Sequence, residues 1–209
     1  MKYYTHPVTP AQPDTKYVRS IKSHLKIIES PIYIDCIPLE SAPSCECFLT
    51  VEKHVKDHGG TMILGWAIWE LPEVYIEAEF HAVWRKTDGS FLDISPKDEP
   101  TKRVLFLPDA NARYEGAQVN NIRIPICNAP AVLALFAACN KEFELSNKGE
   151  RKFQYGERKF SDEEMDVLHE ILFVKKLAEN DMLKLVPKIS PNMPCICGSG
   201  LKSKKCCKT

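Results

Sequence analysis

The sequence predicts an α+β fold: a helix packed on an antiparallel sheet, extended by C-terminal helices and ended by a small cysteine-rich tail. Three observations carry that expectation. Residues 45–58 have helical apolar spacing and stop at Gly59-Gly60. Residues 63–107 contain four strand-like runs parted by turn residues. Beyond Pro130 the pattern is helical again, until four cysteines fall within thirteen residues at 195–207.

The first 20 residues carry Pro7, Pro10 and Pro13 and read as an irregular arm. Residues 21–30 fit a short helix or a short strand. Ile32 to Ile37 is β-like and stops at Pro38. Residues 41–44 form a loop ending in an N-cap, and Phe48, Val51 and Val55 then give the helix its apolar face. Strands are expected at 63–71, 74–85, 90–95 and 103–107, separated by Pro72, by Asp88-Gly89 and by a polar loop. Residues 131–144 form a helix with Pro130 at its start. Residues 146–160 are polar and basic, as in a linker or exposed loop. Ser161-Asp162-Glu163-Glu164 is a capping box opening an amphipathic helix through Met165, Leu168 and Leu172. The organisation is therefore a body over 1–145, a linker and amphipathic helix over 146–189, and a tail module over 190–209.

The chain has 28 basic and 28 acidic residues among 209, which excludes a uniformly basic nucleic-acid binder. Six lysines and no acidic residue lie from position 184 onward, so an acidic body carries a basic tail. The start lacks the apolar core of a signal peptide, and no run approaches the ~18 apolar residues of a membrane span. The expected compartment is the cytoplasm, without membrane association. Nine cysteines in that setting favour metal or nucleophile roles over disulfides.

In the tail, Cys195 and Cys197 are followed by Gly198-Ser199-Gly200, three more lysines and then Cys206-Cys207. Two thiolate pairs around a flexible turn suit a tetrahedral, closed and structural zinc site; iron is the alternative metal. Metal binding would supply most of the folding energy of so short a segment. The C-x-C-G-S-G core with basic residues and a final Cys pair resembles the SEC-C motif, the zinc-binding element named after the C-terminus of the translocase ATPase SecA. That resemblance implies Cys195, Cys197, Cys206 and Cys207 as ligands and a tail that docks on proteins, in some cases ribosomes. The sequence departs from the motif at Leu201, usually Lys, and at Ser203, usually aromatic.

A second constellation lies in the body. Glu77, Glu79, His81 and Val83 alternate on one face of a strand, with Ile76, Ala78, Phe80, Ala82 and Trp84 on the other. A two-residue loop at Asp88-Gly89 would put Asp93 on the face away from His81. A three-residue loop over Thr87-Asp88-Gly89 pairs Lys86 with Ser90, sets Asp93 opposite Val83 and makes it a diagonal neighbour of His81. The second register also turns Leu92 and Ile94 to the apolar side, and is favoured. Upstream, Cys45 or Cys47 sits in the first turn of a helix, where backbone N–H groups and the helix dipole favour a thiolate.

Helix-borne Cys, strand-borne His and Asp on the following strand is the chain order of papain-like and transglutaminase-like folds. The strings His81-Ala82-Val83-Trp84 and Asp93-Ile94-Ser95-Pro96 are similar to the His and Asp segments of bacterial transglutaminase-like proteins. The block from Gly65 to Pro108 also resembles one that accompanies SEC-C tails in bacterial proteins. The likeness implies Cys47 as nucleophile, His81 as base and Asp93 as orienter. Cys47 is preferred because the helix runs directly into Phe48.

The remaining candidates are weaker. His54 and His58 share a helix face but find no third ligand, and read as exposed. Cys36, Cys127 and Cys139 lie in apolar runs and read as core thiols. Trp66 and Trp69 face opposite sides, one in the core and the other available to a groove beside His81. Glu77 and Glu79 read as a solvated or site-rim face. Two functions follow: a thiol hydrolase or acyltransferase recruited by its tail to a protein or ribosome, or a non-catalytic adaptor with a structural zinc module. A nucleic-acid-associated adaptor using the tail lysines is the third.

Overall fold

The computed structural model describes residues 3–207. Six strands form one sheet: β1 (Ile32–Cys36), β2 (Thr61–Leu71), β3 (Tyr75–Arg85), β4 (Phe91–Asp93), β5 (Arg103–Pro108) and β6 (Ile122–Pro125). The order is β2-β5-β1-β4-β3-β6, and β2 also pairs with β3, so five strands close into a barrel with β6 added on the outside of β3. The class is mixed α/β. Closure is a feature that an open antiparallel sheet lacks, and so is the parallel pairing of β1 with β4. No local pattern encodes either, because both depend on which strands meet.

The barrel has two apolar layers. Ile34, Ala67, Val83, Val104 and Phe106 fill the interior. Trp66, Ile68, Ile76, Ala78, Phe80, Leu105 and Leu107 point outward and are covered by α1 (Lys16–Leu25) through Val18 and Ile21. Helix α2 (Cys47–His58) covers Ala82 and Ile94 with Cys47 and Val51. Both faces of β3 are therefore buried, although its sequence alternates between apolar and polar. Gly65 closes the seam between β2 and β5. A Cβ there would drive into the Leu107 carbonyl and lie 2.6 Å from Phe106 Cζ, so only glycine fits.

Helices α3 (Pro130–Ser146) and α4 (Asp162–Met182) form an antiparallel pair. They pack on the β2–β3 turn through Val132, Leu135, Ala178 and Met182 against Leu71, Val74 and Tyr75. The Ser161 capping box opens α4. A short 3-10 helix, Gly149–Phe153, lies between them. Arg151 pins that connection, with its two Nη groups 2.7 and 2.9 Å from the Glu164 carboxylate. The connection is thus a folded segment and not a free linker. The N-terminal arm is also ordered, bridging Val8 to Glu70. Among the described residues, no helix is long and apolar enough to cross a membrane.

Candidate functional site

The hairpin from β3 to β4 sets the first part of the site. Lys86 N–H donates to the Ser90 carbonyl at 2.8 Å and Gly89 N–H to the Lys86 carbonyl at 3.0 Å. Gly89 has φ +86°, the left-handed residue of a three-residue loop. Trp84 pairs with Leu92 and Arg85 with Phe91. This register sets Asp93 beside His81: His81 Nε2 lies 3.1 Å from Asp93 Oδ2. Both side chains are buried, at 2% and 0% exposure.

A third member was not legible in the sequence. Lys97 Nζ lies 2.8 Å from Asp93 Oδ2 and 3.3 Å from His81 Nε2. The Ser95 amide donates to Asp93 Oδ1 at 3.1 Å, and Cys36 Sγ sits 3.9 Å from Oδ2. The carboxylate loses hydration on burial, but His81 and Lys97 overcome this and hold its pKa well below the usual carboxylate range. Burial and the Lys97 ammonium push His81 down, while Asp93 and Cys47 push it up; the net effect raises it to about 10. Burial and then Asp93 push the Cys36 thiol up to about 12, which makes it an inert thiol.

Cys47 reaches the site from the other side of β3. It is the first residue of α2, is 8% exposed, and packs with Ala82 and Ile94. Glu46, the N-cap, makes no side-chain capping bond. The first-turn N–H groups of α2 are thus left without a side-chain acceptor. Cys45, just before, has φ +62°; burial of its thiol, then Asp98 and Glu79, push its pKa up. Cys47 makes no hydrogen bond to His81, and His81 Nδ1 is buried without a partner among the described residues.

Cys47 and His81 nevertheless line one cleft of about 700 Å³. Its position follows from the pairing. β6 pairs with β3 only up to Ala78, and β4 begins to pair with it at Trp84. Glu79 to Ala82 therefore pair with β2 alone. The gap leaves this edge of the strand bordering the cleft, so Phe80 and His81, from opposite faces, both line it. Trp66 is core, and Trp69 donates from Nε1 to Glu79 at 2.9 Å on the cleft wall. Glu77 is buried and paired with Arg123 at 2.9 Å, so it is a neutralised group and not a solvated one. His54 and His58 stack at 4.1 Å on α2 and belong to no cluster of metal-binding groups among the described residues. Cys36, Cys127 and Cys139 are half-buried against the core clusters.

The tail forms a second centre. Pro194 and Lys202 bridge across a small hairpin, with Gly198 and Gly200 at positive φ near its tip. The ligand atoms of Cys195, Cys197, Cys206 and Cys207 all lie within 4.8 Å of one another. Cys197 Sγ is 3.5 Å from Cys195 Sγ and 3.4 Å from Cys206 Sγ. Tetrahedral zinc with Zn–S of about 2.3 Å needs sulfurs about 3.8 Å apart, so the four thiols suit such an ion. The hairpin is seated on the barrel. Lys102 N–H donates to the Cys197 carbonyl at 2.8 Å, and Arg103 Nε donates to the Gly198 carbonyl. A Cβ on Gly198 would lie 2.7 Å from both Thr9 Cγ2 and the Arg103 carbonyl.

Fold and centres define a mixed α/β barrel protein with a four-cysteine cluster suited to a metal such as zinc. Comparison with known proteins adds no family: no family model, curated protein or solved structure matches the chain significantly.

Proposed function

We propose that the body is a thiol enzyme of acyl-transfer or amide-cleaving type, with Cys47 as nucleophile, His81 as base and Asp93 as orienter. The observation that carries this reading is the His81–Asp93 contact of 3.1 Å at Nε2, which leaves Nδ1 unpartnered beside a cleft that Cys47 also lines. In the reaction, His81 already holds the Cys47 proton on Nδ1 as an imidazolium, and the sulfur attacks a carbonyl carbon as the anion of that pair. The carbonyl electron pair moves to oxygen, where the free N–H groups of α2 stabilise it. Collapse expels the amine, which takes the proton from His81, and leaves a thioester on Cys47. Water or a second amine then releases the acyl group, and its proton returns through His81 to the thiol. The transglutaminase-like resemblance supports the same roles.

The tail is read as a SEC-C-like structural zinc module, held by Cys195, Cys197, Cys206 and Cys207, that docks the body on a protein or ribosome. Lys202, Lys204 and Lys205 are exposed on it. Co-sedimentation with ribosomes at low and high salt tests the docking; binding lost with the three lysines but insensitive to the cysteine fold would mark simple charge attraction.

A non-catalytic adaptor is the second reading, favoured by the absence of a Cys47–His81 hydrogen bond. Alkylation kinetics decide between them. On the enzyme reading, iodoacetamide modifies Cys47 near neutral pH about tenfold or more faster than a free thiol, and His81→Ala removes the excess. A rate like that of a free thiol, indifferent to His81, leaves the adaptor.

A further inference from the structure

Among the described residues, seven buried side-chain polar atoms lack a hydrogen-bond partner, and six of them belong to residues that line the Cys47–His81 cleft. Buried polar groups in folded proteins are otherwise nearly always paired. Such a concentration on one cleft wall marks a surface shaped for a polar ligand. Its charge distribution then identifies the ligand class.

The other lysine, arginine and histidine side chains of the wall, His81 apart, each have a carboxylate nearby. Lys97 is 2.8 Å from Asp93, Arg123 is 2.9 Å from Glu77, Lys175 is 2.6 Å from Glu142, and His6 is 3.9 Å from Glu99. Arg158 differs. It lines the cleft half-buried, its Nε is shut from solvent, and it forms no hydrogen bond or ion pair with any described residue. A guanidinium stays charged at any working pH and presents a planar fork of donors. Tyr155, three residues earlier, also lines the cleft, with a buried and unpartnered Oη. Tyr114 adds a second unpartnered hydroxyl, its ring stacked at 3.9 Å on Phe48, the residue after Cys47.

We infer that Arg158 and Tyr155 form an anion subsite of this cleft, so that its substrate carries a carboxylate or phosphate as well as the carbonyl presented to Cys47. The inference rests on the reading of the cleft as a substrate site. Arg158 supplies charge and a two-pronged contact, and Tyr155 adds a hydroxyl donor. The subsite comes from the α3–α4 connection, and the reacting groups come from β3, β4 and α2. The chain thus builds recognition and chemistry on separate elements.

The test is titration calorimetry of the full-length, zinc-loaded protein with glutarate in one arm and inorganic phosphate in the other, against sodium chloride of matched ionic strength. One of the two anions binds saturably, and Arg158→Gln weakens it tenfold or more. Tyr155→Phe weakens it less, and neither substitution shifts the thermal midpoint. Preference for glutarate assigns a carboxylate and preference for phosphate a phosphoryl group. Absence of saturable binding in both arms overturns the subsite, as does binding that Arg158→Gln leaves intact. The Cys47→Ser variant still binds the anion, so loss of thiol reactivity and loss of the subsite are read separately.

Discussion

The Asp93 carboxylate oxygen Oδ2 is shared by two cationic partners, His81 Nε2 at 3.1 Å and Lys97 Nζ at 2.8 Å. A buried carboxylate with these neighbours stays ionised, and the three side chains form one electrostatic unit. His81 is thereby fixed through Nε2, and Lys97 balances part of the charge that would otherwise hold a proton on the ring.

Removing Asp93 leaves Lys97 buried without its counter-charge. Asp93→Asn is expected to cost about 3–5 kcal/mol, and adding Lys97→Met to recover a large part of it. Urea unfolding of the two single variants and the double variant measures the coupling. Simple addition of the two costs would mean that the groups do not act as a unit.

The pH dependence of stability follows from the signs. Asp93 is depressed in the fold, so its contribution is present above the unfolded value of about 3.9 and is lost as pH falls through the lower folded value. His81 is raised, so its contribution is complete below about 6.5 and declines as pH rises towards about 10. Unfolding free energies across pH 6–10 for the native chain minus those for His81→Gln should fall steadily. A flat difference would show an unperturbed imidazole.

Metal removal acts at a distance in sequence. The amide of Lys102 is held by the carbonyl of Cys197, and Arg103 Nε by that of Gly198. Chelation should remove one zinc per chain and speed hydrogen exchange at Lys102, with β3 still protected. Cys195→Ser with Cys197→Ser should abolish the zinc. Unchanged zinc content in that variant would exclude the cluster as the site.

The seam of the barrel rests on one missing methyl group. Gly65→Ala forces the Leu107 carbonyl and the Phe106 ring apart, and should destabilise the fold by about 1–3 kcal/mol or more. Chemical denaturation measures it, with Gly89→Ala as a comparison at a loop position open to solvent on its Cβ side.

Local physics made much of this protein readable from its residues. The apolar spacing of α2, the Gly59 stop, the capping box at Ser161 and the left-handed Gly89 each depend on neighbours a few positions away. So does the pairing of two cysteine pairs around Gly198-Ser199-Gly200. The register of one hairpin was also enough to bring His81 and Asp93 to the same face, since side chains on a strand alternate with a period of two.

Tertiary structure alone decided the rest. Closure of the sheet buried the polar face of β3, and the gap between β4 and β6 opened the cleft through which Cys47 and His81 share a wall. Lys97 is carried to Asp93 by an irregular loop, Arg158 and Tyr155 to the cleft by the α3–α4 connection, and the cysteine hairpin to Arg103 by the end of the chain. None of these segments has a hydrophobic period to announce its path. Their positions are set by which distant surfaces they cover, and a one-dimensional pattern holds no record of that.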